Sequence, residues 1–282
     1  MKIKLLFVAG LLALYSCSNS SQEEKPAEKS TSTAVEEESI PEETEEEVSV
    51  IFPSAVDIMT VFKQAGLSYE KGITLPAEKH ADFIRKEEKA IALGMYTADL
   101  AYCVVNQQQN QALGYIKAVR QVSELLGLSS VYENETLLKR FEQNINNEDS
   151  TLTILAEIQS ETDMYIEENG LQDLAAVIFA GAWTEGMYLG VEANDDYDQE
   201  SISTRVVEQM ELLDNVVKML QVSELGNVGQ SLLKDLSALQ EQYSHFDSVT
   251  EAQQTETIPT LSLSELNKLA KQIKTLRNAR IQ

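Results

Sequence analysis

At 282 residues the chain is long enough for one large domain or two small ones. Its 46 acidic side chains against 22 basic ones give a net charge of −24, the wrong sign for a binder of nucleic acid or of an anionic lipid surface. Two cysteines and two histidines leave little from which to build a disulfide framework or a zinc site.

The first sixteen residues begin with Lys2 and Lys4 and run through the apolar stretch Leu5 to Leu14, the layout of a signal peptide. That stretch is shorter than the roughly 20 residues a bilayer span needs. It ends in Leu14-Tyr15-Ser16-Cys17, which resembles the bacterial lipobox, although Tyr15 stands where the motif usually has a small residue. The resemblance implies a lipid on the Cys17 thiol and cleavage just before it. Ser18 rather than an aspartate follows, as in lipoproteins that move on to an outer membrane, and the acidic cluster just beyond resembles a surface-export signal of Bacteroidota lipoproteins.

Eleven glutamates, two lysines, Pro26 and Pro41 fall between Ser18 and Val50. Such a stretch cannot bury enough apolar surface to offset chain entropy. It is expected to be a disordered tether over 17–50, reaching about 30 Å as a coil and more with charge repulsion. Calcium binding by these glutamates would need a convergence that a flexible chain lacks. Without Lys2 and Lys4 the mature chain holds 20 basic and 46 acidic residues, a charge of −26. Once Cys17 carries lipid, Cys103 has no intrachain partner, and its run Leu100 to Val105 reads as a buried, inert thiol.

Residues 51–282 read as all-α. Strand alternation is missing, while apolar residues recur every three or four positions. A short helix is expected from Ser54, capped with Asp57 and ended by Gly66. Longer helices follow over about 77–105, 108–127, 132–145, 149–169, 171–193, 200–222, 226–244 and 263–280. Gly127, Gly170 and Asn194-Asp195-Asp196 supply the breaks, and such short connections favour antiparallel bundles. Ala112, Tyr115, Ile116, Val119, Val122 and Leu126 make one apolar stripe, and Leu212, Val216, Met219 and Leu220 make another.

Gly94-Met95-Tyr96-Thr97 is echoed 87 residues later by Gly181-Ala182-Trp183-Thr184. Downstream, Leu137-Leu138-Lys139 returns 95 residues later as Leu232-Leu233-Lys234, and Val122-Ser123-Glu124-Leu125 lines up at the same offset with Val217-Lys218-Met219-Leu220. The expectation is two related three-helix units, 78–147 and 165–244, plus flanking helices, with chance likeness between amphipathic helices as the alternative. A lipobox, an acidic tether and a helical body together resemble the helical lipoproteins, of unassigned activity, common in Bacteroidota. That resemblance implies location and fold only.

Reactive constellations are missing. His80 and His245 have Ala77 and Gln242 three residues before them, so the Glu-x-x-His spacing of di-iron bundles is absent. The loop Asn194 to Glu200 alternates oxygen-bearing residues but lacks the glycine and glutamate of an EF-hand. No phosphate-binding glycine loop and no Gly-x-Ser-x-Gly occurs. No metal, no cofactor and no catalytic residue is therefore expected. The candidate ligand pocket lies where the echoed helices meet, with Tyr96, Thr97, Asp99, Trp183, Thr184 and Glu185 around it and Gly94, Gly181, Gly186 and Gly190 leaving room. An acid among apolar neighbours needs a partner or a cation. The competing expectation is that Asp99 and Glu185 face solvent while the threonines bond their own helix backbone. Asp149-Ser150-Thr151 and Asp247-Ser248-Val249 match the short O-glycosylation pattern of Bacteroidota at Ser150 and Ser248.

The expected function is a lipid-anchored, non-catalytic binding or scaffolding module of the outer membrane, on its periplasmic or surface face. It would engage an envelope protein or a small ligand. The alternative is a sensor-type domain or an envelope hydrolase built on Asp99 and Glu185.

Overall fold

Two helices that are apolar all round must be covered on every side, and they form the centre of the molecule. The structure is a computed structural model that describes residues 53–129, 135–193 and 199–281, all within one contact unit, Ser49–Gln282. The expected signal peptide, Cys17, the tether and most of the acidic loop after Ala193 lie outside the described residues.

Ten α-helices and no strand occur among the described residues: α1 (Ala55–Gln64), α2 (Lys86–Val105), α3 (Gln109–Leu126), α4 (Glu135–Asn144), α5 (Glu148–Glu168), α6 (Gln172–Glu192), α7 (Gln199–Val222), α8 (Asn227–Ser244), α9 (Asp247–Thr255) and α10 (Leu263–Asn278). The all-α, bundle-like reading is correct. Ser54 and Asp57 form the expected reciprocal cap of α1. Gly127 and Gly170 take the left-handed conformation that ends α3 and α5, with φ of 79° and 63°.

Two elements differ from expectation. The long helix over 77–105 is instead a 3-10 turn at Ala77–Ala81 followed by α2. The break has a local cause. Glu88 accepts the Ile84 and Arg85 backbone N–H groups at 3.2 and 2.9 Å, which restarts the helix at Lys86, while Phe83 is drawn into the core. The second is α9, whose nine residues bury only Val249 and Ala252, too little periodicity to be read as a helix from sequence.

Every residue of α2 from Ala90 to Val105 is buried except the half-buried Thr97, and every residue of α6 from Ala180 to Gly190 is buried. By length and composition α6 could cross a membrane, yet 78% of its apolar window is buried inside the fold. The two helices cross at backbone contact. A Cβ on Gly94 would collide with the Ile178 carbonyl, and one on Gly181 would collide with the Ile91 carbonyl. Each glycine thus lies on the residue three before the other. Further along α6, Gly190 admits the Phe62 ring, which a Cβ would meet at 2.5 Å, and so seats α1.

Around this pair, α3 packs on α2, α7 on α6 and α8, and α10 on α6 and α8. The remaining pair stands apart. α5 packs chiefly on α4 and only lightly on α1, α2 and α6. Arg140 and Glu157 join the two helices with paired hydrogen bonds, and the Tyr165 hydroxyl donates to the Gly127 carbonyl at 3.1 Å.

The Gly94 crossing can be tested against Gly114, which sits in α3 with only Ala77 Cβ near, at 4.0 Å. In chemical denaturation, Gly94→Ala should lower the unfolding free energy by about 3 kcal/mol, an overpacking cost. Gly114→Ala should leave it unchanged or raise it by up to about 1 kcal/mol.

Candidate functional site

All six residues expected around a pocket have polar groups engaged inside the core or on their own helix. The Tyr96 hydroxyl donates to the Pro76 carbonyl at 3.1 Å. Trp183 Nε1 donates to the Gln209 carbonyl at 3.2 Å. Thr184 donates to the Ala180 carbonyl at 2.7 Å, and Thr97 donates to Leu93 at 2.8 Å, so both threonines do bond their own helix.

Asp99 and Glu185 do not face solvent, as one of the two expectations had it; both are fully buried. Arg277 of α10 explains how this is tolerated. Its Nε and Nη2 each donate to a Glu185 carboxylate oxygen at 2.9 Å, and its guanidinium lies 4.5 Å from the centre of the Tyr188 ring. Asp99 Oδ2 accepts the Leu75 N–H at 3.1 Å, and Asp99 Oδ1 has no donor facing it. Burial, together with the neighbouring Glu185 charge, raises the Asp99 carboxyl well above its ordinary value. Burial raises Glu185 too, but Arg277 opposes it. Burial and the adjacent charge thus favour the protonated form of Asp99, while Arg277 pairs the Glu185 carboxylate. Arg277 lies 92 residues from Glu185 in sequence, and nothing local in the sequence marks it as the partner.

The open space lies on the other side of the α2–α6 crossing. A cavity of about 430 Å³ is walled by Leu93, Gly94, Thr97 and Leu100 of α2, Ala175, Ile178, Phe179 and Ala182 of α6, and Ile116 and Val119 of α3. Leu155, Ile158, Thr162 and Ile166 of α5 close the opposite wall, and Pro53–Val56 edges it. Its origin is steric. Gly94, Thr97, Ala175 and Ala182 are small, so the α2–α6 surface is low where the lightly packed α5 passes over it. Thr97 is the one residue of the expected six that lines this space.

The interior offers a ligand little hydrogen bonding. Thr97 and Thr162 spend their hydroxyl protons on Leu93 and Ile158. Polar groups gather instead on α5, where Gln159, Asp163 and Glu167 fall one turn apart. Gln159 Nε2 donates to Asp163 Oδ1 at 2.8 Å. The helix at 149–169 reads in sequence only as a joining element, yet its apolar stripe, Ile154, Leu155, Ile158 and Ile166, was the available signal for a wall.

No protein family, curated protein or solved structure matches this chain.

Among the described residues no group of three or more His, Cys, Asp and Glu is placed to hold a metal ion. Cys103 is free and buried, and burial pushes its thiol up, away from the reactive thiolate. Ser150 is half-buried at the start of α5, whereas the Ser248 hydroxyl is closed off from solvent.

The raised Asp99 carboxyl has a pH signature. Because the folded state holds the Asp99 proton more tightly than the unfolded chain, its contribution to stability is full below the ordinary value of 3.8. It falls as pH rises above that value, by up to about 1.4 kcal/mol per unit. Asp99→Asn, which retains a donor toward Glu185, should remove that slope and become more stable relative to wild type as pH goes from 4 to 7 in urea titrations. Arg277→Met should cost about 3–5 kcal/mol at pH 7, since it leaves a buried carboxylate unpaired.

Proposed function

We propose that this protein is a non-catalytic binding module of the cell envelope, held to a bacterial outer membrane by lipid on Cys17, and that its ligand site is the α2–α3–α5–α6 cavity. The observation that carries the reading is the cavity itself. At about 430 Å³ it falls within the range of small-molecule sites, roughly 300–1,000 Å³, and its walls are apolar side chains on helices. Space walled mainly by apolar side chains takes up apolar molecules.

The address rests on the signal-like start, the lipobox-like Leu14 to Cys17 and the acidic stretch behind them. On this reading the tether keeps the helical module off the membrane, on the periplasmic or the surface face, and leaves its exterior free for an envelope protein partner. The reciprocal Gly94–Gly181 crossing supports descent of 78–147 and 165–244 from one duplicated unit, because equivalent residues of related helices meet there. Against a hydrolase or sensor built on Asp99 and Glu185 stand their full burial and their engagement by Leu75 and Arg277.

Two measurements test the reading. In a Bacteroidota host, an alkyne-bearing palmitate should label the wild-type chain and not Cys17→Ser; equal labelling of both would refute the anchor. With the Cys17→Ser chain, which needs no detergent, calorimetry should show decanol binding once per chain. Ala175→Phe, which projects a ring into the cavity, should weaken that binding at least tenfold. Absence of saturable decanol binding would refute the site.

A further inference from the structure

The cavity's walls and mouth differ in chemistry, and the difference selects a ligand. Its lining contains no lysine, arginine or histidine, and it contains two carboxylates, Asp163 and Glu167. These lie four residues apart on α5, where like charges repel. Neither forms an ion pair among the described residues. Asp163 has one oxygen occupied by Gln159, and Glu167 is exposed at the helix end. Asp163 is open to water on one side, while burial on the other raises its carboxyl, so its charge is held at a cost that a nearby cation would offset.

We infer that the cavity takes a cationic amphiphile, an apolar body with an ammonium head, whose body fills the space between α2 and α5 and whose head sits between Asp163 and Glu167. This rests on the cavity being a ligand site, as proposed above. With the interior hydroxyls spent on their own helices, the mouth is the place where a polar head is recognised. A carboxylate or phosphate head there would meet two like charges on a chain already carrying −24, with no lining cation to receive it. A neutral head would leave the Asp163–Glu167 repulsion unrelieved.

Three ligands with the same ten-carbon body separate head from body: decylamine, decanol and decanoate, titrated at pH 7 and moderate salt below their micellar concentrations. Decylamine should bind about fivefold more tightly than decanol, the scale of a partly exposed ion pair, and decanoate more weakly than either. The double substitution Asp163→Asn with Glu167→Gln should erase the preference for the amine and leave decanol binding unchanged. Ala175→Phe should weaken all three.

Decanoate binding as tightly as decylamine would overturn the inference while the cavity reading stood, and so would an amine preference that survives the double substitution. Decylamine binding that survives Ala175→Phe would also overturn it, because the amine would then be adsorbing to the acidic surface. Loss of decanol binding in a folded chain would instead remove the cavity reading itself.

Discussion

The contact between Gly94 and Gly181 sets the arrangement of everything around it. Two helices touching backbone to backbone hold a single relative position, since a methyl at either site would strike a carbonyl. Once α2 and α6 are locked, their outer faces define where α1, α3, α7 and α10 can pack. The small residues that permit the approach also leave a low surface beside it. A helix as lightly packed as α5 bridges that surface without filling it, so a tight crossing and an open cavity follow from one choice of side chains.

A second constraint ties in the segment between α1 and the 3-10 turn. Three tyrosine hydroxyls, from Tyr96, Tyr102 and Tyr115, donate to the carbonyls of Pro76, Ser68 and Leu75 at 3.0–3.1 Å, and Asp99 receives the Leu75 N–H. Irregular backbone is thereby satisfied inside the core, where unpaired polar groups are costly. The Asp99–Glu185–Arg277 cluster extends the same network to the last helix, so the C-terminal element is fastened to the centre by buried charge as well as by Leu269, Ile273 and Leu276. Burial favours a proton on Asp99, and one such proton would bring two acids and one arginine to zero net charge, which makes their burial tolerable.

Much of the fold was legible in the sequence because it depends on short-range signals. Ser54 with Asp57, and the glycines at 127 and 170, act within a few residues of themselves, and the stripes on α3 and α7 need only helical periodicity. Pairings across long separations were not legible. The sequence marked Asp99 and Glu185 as acids in apolar surroundings, the condition that demands a partner, but Arg277 comes within reach only through the packing of α10 on α6. The cavity escaped for the same reason. Thr97 and Gly94 line the cavity, yet the opposite wall belongs to α5, whose alternation of Ile158 and Ile166 with Asp163 and Glu167 looks like any amphipathic helix until its apolar face is seen to stop short of its neighbours.

Whether the space between α2 and α5 receives an apolar guest is decided by methyl-resolved NMR of the full Cys17→Ser chain titrated with decanol. A guest in the cavity should make Ile116, Val119, Leu155, Ile158, Ile166 and Met219, which line it, shift together and saturate at one equivalent. Shifts confined to the exposed Ile84, Val222 and Ile258, or no saturable shift at all, would contradict it.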